Sequence, residues 1–249
     1  MKNSHSVLLF DIETFPHVIW AWDLYDTNAI DVKEYGFMLS FAYKWFGESK
    51  IQIYSLPDFR GYNKDKSDDK ELCQKLWELF DEANIVIGHN GVACDVKTAK
   101  GRFFIHGFKP PSPFQQVDTL KVSRKEFKLP SNKLDFIAKM TGIGKKKENE
   151  GFPLWRGCAE GDLKAWKKMI VYNKQDVQLL EEVYLMMRPY IENHPNLNLL
   201  NNTENKCPNC GGDLQRRGFS VSRVNRFQRF QCQKCGAWSQ KPIKRGIIR

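Results

Sequence analysis

No run of about 18 or more apolar residues occurs in this 249-residue chain, and its N-terminus lacks the basic-then-apolar pattern of a leader. Neither a membrane span nor a secretory signal is therefore expected. Internal repeats and low-complexity tracts are also missing, so nothing points to a repeat architecture. Acid is almost absent from residue 206 onward: Asp213 alone stands against eleven Lys and Arg, a balance of +10. The whole chain also carries a formal +10, so residues 1–205 sum to zero. A neutral body and a strongly basic tail place the affinity for polyanions in the tail. Outside that tail the cysteines have no pattern. Cys73, Cys94 and Cys158 are scattered, as expected of small buried hydrophobes in a reducing, cytoplasmic setting.

What is present reads as an α/β sheet domain. Val7–Phe10, Val18–Trp22, Met38–Lys44 and Ile51–Tyr54 are rich in β-branched and aromatic residues and are predicted strands, and Ile85–Gly88 is a short buried one. Asp58–Asp69 is polar and charged, a surface loop. Leu72, Leu76, Leu79, Phe80 and Ala83 recur at helical spacing across Lys70–Ala83. Asp95–His106 reads as a helix ended by Gly107 and a proline-rich turn, and Asn132–Met140 as another. Gly142–Gly151 is a loop holding Lys145, Lys146 and Lys147. Asp162 is the expected N-cap of a long helix running towards Met187. Asn193–Asn205 is asparagine-rich; the expected division is a domain over 1–195, a linker over 196–205 and a small basic domain over 206–249.

Three motifs carry chemistry. Asp11 and Glu13 end the apolar run Val7–Phe10, and alternate strand residues share a face. Two adjacent carboxylates repel unless a divalent cation lies between them. Tyr172 and Asp176 are four apart in a helical stretch and project together. Asp95, opening the helix after Ile85–Gly88, can bring a further carboxylate to the same space. Four carboxylates and a tyrosine so distributed are what a two-metal phosphodiesterase needs. Each piece has an ordinary alternative: a solvated strand end, a core tyrosine, or an acid favoured at a helix N-terminus.

The order and context of these motifs resemble the DEDDy 3'–5' exonucleases, the family that includes proofreading domains of DNA polymerases. The resemblance rests on Phe10-Asp11-Ile12-Glu13-Thr14, Gly88-His89-Asn90-Gly91, Lys109–Pro113, Asp118–Lys121, Ser131–Asp135, Trp166–Met169 and Tyr172-Asn173-x-Gln175-Asp176-Val177. It covers Leu8 to about Pro195 and is nearest to stand-alone bacteriophage enzymes with a C-terminal zinc ribbon, which would place the protein in a bacterial host's cytoplasm. It implies a ribonuclease H-like mixed sheet flanked by helices, with two Mg²⁺ or Mn²⁺ ions. Asp11 would bridge them, Glu13 and Asp176 would complete the metal near the attacking water, and Asp95 would support the second. Tyr172 would orient that water, because a tyrosine pKa near ~10 makes a poor base at neutral pH.

The family usually has an aromatic residue before the third carboxylate; here Cys94 stands there, leaving a smaller side chain beneath Asp95. His89 is either a phosphate contact or a hydrogen-bond partner at the helix entry. Asn90 is expected near the substrate's terminal nucleotide, and Asp118 and Asp135 as supporting acids. The implied substrate is single-stranded DNA or a DNA 3' end. An RNA exonuclease, a structure-selective endonuclease or a non-catalytic nucleic-acid-binding adaptor are the alternatives. No polymerase region is present, so proofreading would need a separate polymerase or other replication protein.

In the tail, Cys207-Pro-Asn-Cys210 and Cys232-Gln-Lys-Cys235 are two knuckles 21 residues apart. Such spacing brings four thiolates into the tetrahedron of a structural zinc, with a redox pair or disulfides as alternatives. Between them Arg223, Arg226 and Arg229 interleave with Phe219, Phe227 and Phe230, and Trp238 follows. Together they can grip phosphates and stack bases of a single strand. Alternatively the aromatics form a small core, or the basic surface meets an acidic protein.

Overall fold

A computed structural model describes residues 7–25, 28–91, 94–144 and 150–243. The tri-lysine stretch Lys145–Lys147 and the terminal Lys244, Arg245 and Arg249 lie outside these residues. The chain divides into two compact units: residues 1–121 with 130–183, and residues 122–129 with 184–249. Among the described residues, no helix is long and apolar enough to cross a membrane.

The first unit is built on a five-stranded mixed sheet. Its strands are β1 (Val7–Thr14), β4 (Met38–Trp45), β5 (Gln52–Ser55), β6 (Ile85–Gly88) and β7 (Gln115–Asp118), in the order β5-β4-β1-β6-β7. β1 runs antiparallel to β4 and parallel to β6, the mixed ribonuclease H-like arrangement. β1 and β4 are central strands, and their apolar residues are buried on both faces: Leu8, Leu9 and Phe10, then Met38 through Tyr43. A separate two-stranded hairpin, β2 (Val18–Trp20) and β3 (Asp31–Glu34), follows β1. β3 has no apolar alternation (Asp-Val-Lys-Glu) and is not predicted from sequence.

Helices flank the sheet: α1 (Lys70–Glu82), α2 (Asp95–Ile105), α3 (Thr119–Glu126), α4 (Leu134–Met140), α5 (Phe152–Glu160) and α6 (Leu163–Met187). Leu72, Leu76 and Phe80 of α1, Val96, Ala99 and Phe103 of α2, and Trp166 and Met169 of α6 pack into the sheet's core. The expected cap is present: Asp162 Oδ1 accepts from the Lys164 N–H at 2.8 Å. Fully buried Asp69 ties α1, α2 and the start of β4 together. One carboxylate oxygen accepts from the Met38 N–H (2.7 Å), the other from Arg102 Nη2 and bonds His106 Nε2 (2.6 Å each).

In the second unit, β8 (Leu214–Val221), β9 (Arg226–Cys232) and β10 (Trp238–Pro242) form an antiparallel sheet in the order β10-β9-β8. Residues 196–205, read as a linker, carry the short helix α7 (Leu197–Asn201), capped by the Asn196 side chain. Asn209 Nδ2 donates to the Arg188 and Ile191 carbonyls (3.0 and 3.3 Å), fastening the first knuckle to the segment after α6. His194, buried, bonds the Tyr184 hydroxyl through Nε2 and the Pro195 carbonyl through Nδ1, both at 2.7 Å. The neutral ring therefore carries its proton on Nδ1, and burial lowers its pKa.

Candidate active site

β1 delivers the first two carboxylates. Asp11 and Glu13 sit opposite Ala42 and Ser40 of β4, while Ile12 between them points into the core at 8% exposure. A register shift at Glu13–Thr14 ends regular pairing at that point, a common device for re-aiming a side chain beside a functional site. α6 delivers the third: Asp176 is 3% exposed, and its ligand atom lies within 4.8 Å of those of Asp11 and Glu13. Strand alternation and helix spacing thus bring together residues 165 positions apart.

Two side chains hold this cluster, and the sequence reading assigned neither a role. Asn173 is fully buried, three residues before Asp176. Its amide donates to Asp11 Oδ2 at 2.7 Å and to the Asp11 carbonyl at 3.3 Å, while its own oxygen accepts from Ser40 Oγ at 3.1 Å. Trp155 of α5 donates its indole N–H to Glu13 Oε2 at 3.0 Å. Its ring also meets Tyr172 edge-on, with centroids 5.7 Å apart. Tyr172 is thereby placed beside Glu13 through Trp155 and one helical turn before Asp176. The signal for Asn173 was its place within the Tyr172–Asp176 motif; α5, which follows Gly151 and carries Pro153 and Gly157, gave none for Trp155.

Asp95 occupies the first turn of α2 but does not belong to the 4.8 Å cluster. Burial and the negative charge of Asp118 push its carboxyl up to about 7. Asp118 itself, 5% exposed, accepts from the N–H groups of Asn90 (2.9 Å), Leu120 (3.0 Å) and Lys121 (3.4 Å). It caps α3 and fixes the turn that leads to α2. Asp135 lies in the first turn of α4.

That turn, Gly88-His89-Asn90-Gly91, is tight. A Cβ on Gly88 would stand 3.0 Å from Gly91 Cα, and the reverse holds for Gly91, so a side chain at either place would push the facing backbone back by a few tenths of an ångström. Asn90 takes a positive φ of 64°, which asparagine tolerates, and its amide donates to Cys94 Sγ at 3.0 Å. Cys94 is exposed at the N-cap of α2. His89 bonds Thr119 Oγ1 (2.9 Å) and the Asn132 carbonyl (3.0 Å), which uses both ring nitrogens in joining loops. These bonds fit the helix-entry alternative. A cavity of about 640 Å³ is lined by Thr14, Phe15, His17 and Tyr35, and by Thr98 and Arg102 of α2.

The donor set suits hard divalent cations: three carboxylates, all oxygen, within a span that small side-chain rotations close around one ion. Asp95 with Asp118 forms a second, separate concentration of negative charge. In the tail, the four thiol sulfurs cluster within 4.8 Å. Cys207 and Cys235 Sγ are 3.7 Å apart, and Cys210 and Cys232 Sγ 3.5 Å. Four bonds of about 2.3 Å in a tetrahedron require sulfurs at about this separation. Against its burial, N–H donors from Cys235 and Lys234 lower Cys232 to about 7, the thiolate-favouring loop of a knuckle. The Cys₄ cluster can hold zinc with no position open for substrate.

A family model of the RNase H superfamily matches residues 8–188. The chain belongs to the RNase H superfamily, whose members are usually nucleases that use divalent metals. No curated protein sequence matches it.

Proposed function

We propose that the chain is a DEDDy-type 3'–5' exonuclease hydrolysing phosphodiester bonds of single-stranded DNA or DNA 3' ends, of the kind encoded by bacteriophages. The observation that carries this reading is the convergence of Asp11, Glu13 and Asp176 within 4.8 Å, with Tyr172 one turn from Asp176 and steadied by Trp155. Asp11, Glu13 and Asp176, with Asp95 at a second position, would hold two Mg²⁺ or Mn²⁺ ions. When bound, the metals supply charge neutralisation and Lewis acidity at the scissile phosphate.

The chain's own groups do the positioning. Asn173 holds Asp11 and Trp155 holds Glu13, so both carboxylates are set before substrate arrives. The Tyr172 hydroxyl orients the attacking water by hydrogen bonding. Asn90, at the mouth of the Gly88–Gly91 turn, contacts the terminal nucleotide.

The ribbon supports a tethering role. Its buried cluster is Cys207, Cys232 and Ala237, while Phe219 and Trp238 are 47% and 53% exposed, so these aromatics are not its core. Arg226 lies over Phe219 (3.9 Å) and Arg229 over Trp238 (5.4 Å). Strand register puts these two pairs on opposite faces of the sheet. Arg223 stands in the turn between β8 and β9. A cationic group beside an exposed ring, on either face, can engage phosphates and bases of a single strand, raising the local concentration of ends.

The test is cleavage of 5'-labelled single-stranded DNA and matched RNA with Mg²⁺ or Mn²⁺, beside Asp11→Ala. A ladder shrinking from the 3' end, absent with EDTA and in the variant, is the expected result. Faster loss of RNA would name the ribonuclease alternative and internal cuts an endonuclease. An intact substrate with salt-sensitive binding would leave the adaptor.

A further inference from the structure

Two features of the first unit are used by neither the metal cluster nor the ribbon. One is a cavity of about 540 Å³ formed by Lys100, Phe103 and Phe104 of α2 with Phe108, Lys109 and Phe114, its rim completed by prolines. At about 100° per residue, Phe104 lies on the side of α2 opposite Asp95. Thr98 and Arg102 lie on the Asp95 side of the helix, and none of the four carboxylates Asp11, Glu13, Asp95 and Asp176 lines this cavity. Phe104 is 85% exposed at its edge. Lys100 lies over the Phe114 ring at 5.3 Å, and among the described residues neither Lys100 nor Lys109 has a carboxylate partner. The complement is an apolar side chain carrying negative charge beside it. A stacked nucleobase suits it less, because Lys100 already covers the Phe114 face.

The other feature is the β2–β3 hairpin. Its connecting segment exposes Trp22 (88%), Leu24 (91%) and Tyr25 (83%) around Asp23, and Asp31 and Glu34 outnumber Lys33 on β3. Isolated two-stranded hairpins are marginal in water, and contiguous exposed apolar surface marks an interaction site. One feature is acidic and aromatic and projects; the other is basic and aromatic and is hollow.

We propose that the segment Trp22–Tyr25 of one copy docks in the Phe104 cavity of a second copy, and reciprocally, forming a two-fold symmetric dimer. Asp23 meets Lys100 and Lys109, while Trp22 and Leu24 enter among the phenylalanines and prolines. With two copies related by a two-fold axis, each contact is made twice and the assembly closes as a dimer. Two such segments, with aromatic side chains burying about 150–250 Å² each, bring the interface towards the roughly 1,000 Å² that a specific association needs.

Sedimentation velocity over a wide concentration range tests this on the full chain. The wild type is expected to dimerise, and Trp22→Ala/Leu24→Ala and Lys100→Glu/Lys109→Glu to weaken dimerisation at least about tenfold, with unchanged thermal melts. Asp23→Lys mixed with Lys100→Glu/Lys109→Glu should restore a dimer that neither forms alone, because both contacts in the mixed pair are complementary. A fluorescein-labelled peptide of residues 18–28 should bind the wild type and not the lysine double variant. A wild type that stays monomeric throughout, or a dimer indifferent to both sets of changes, would overturn the proposal.

Discussion

The cysteine and carboxylate clusters that could hold the expected metals are built on opposite plans. The four cysteines lie within residues 207–235, on turns that aim their sulfurs locally, and little else is buried around them. The carboxylates are spread from Asp11 to Asp176 and are brought together by a sheet and helices with a large apolar core of their own. In the tail the ligands make the fold; in the first unit the fold makes the ligand set. Metal should thus be structural in one place and dispensable to folding in the other.

The comparison is broken most forcefully by deleting one member of each set. Asp176→Ala should lower cleavage by about 10³-fold, at the upper end of single-donor losses, while leaving the thermal melt of the first unit in place. Loss of folding there would contradict the idea of a preformed site. Cys232→Ser should remove zinc from the purified protein and abolish amide-exchange protection in β8–β10, since structural zinc contributes about 10–16 kcal/mol in small domains. Protection in β1 and β4 should persist, as should hydrolysis of a small diester substrate. If chelation melts both units together, the division of labour is wrong.

A smaller effect sharpens the view of the carboxylate site. Asn173→Ala removes a hydrogen bond to a charged group worth about 1.5–3 kcal/mol. It should reduce kcat by roughly tenfold to a hundredfold and weaken Mn²⁺ binding measured by calorimetry. Trp155→Phe keeps the ring against Tyr172 and loses only the donor to Glu13, so its loss should be the lesser of the two. The smallest effect is in the second unit. Burial lowers the His194 pKa, so the unfolded chain takes up a proton more readily than the folded one. Its contribution to stability is complete above the unfolded value of about 6.5 and is lost as pH falls through the lower folded value. The acid-side fall in melting temperature should be shallower in His194→Gln.

Much of this was legible in the sequence because periodicity is local. Asp11 and Glu13 share a strand face, Tyr172 and Asp176 a helix face, and each Cys-x-x-Cys its own turn. What was not legible depends on contacts distant in the chain. Trp155 reaches Glu13 from 142 residues away, on a helix whose Pro153 and Gly157 obscure its pattern. The carboxyl that Asp95 faces, Asp118, belongs to the next strand over. Cys94 is exposed at the start of α2, where the Asn90 amide donates to its sulfur, a contact that its place before Asp95 in the sequence does not reveal.

Tyr172, Asn173 and Asp176 occupy a single turn of α6. Because they share one rigid rod, the site tolerates substitutions and length changes very differently. A conservative replacement touches one role at a time. Inserting or deleting one residue between Asn173 and Asp176 turns the two ends of the motif by about 100° relative to one another. That change would separate the Asp176 carboxylate from both the hydroxyl and the Asp11 clamp while leaving every residue type intact. Natural variation in chain length should therefore fall outside this turn.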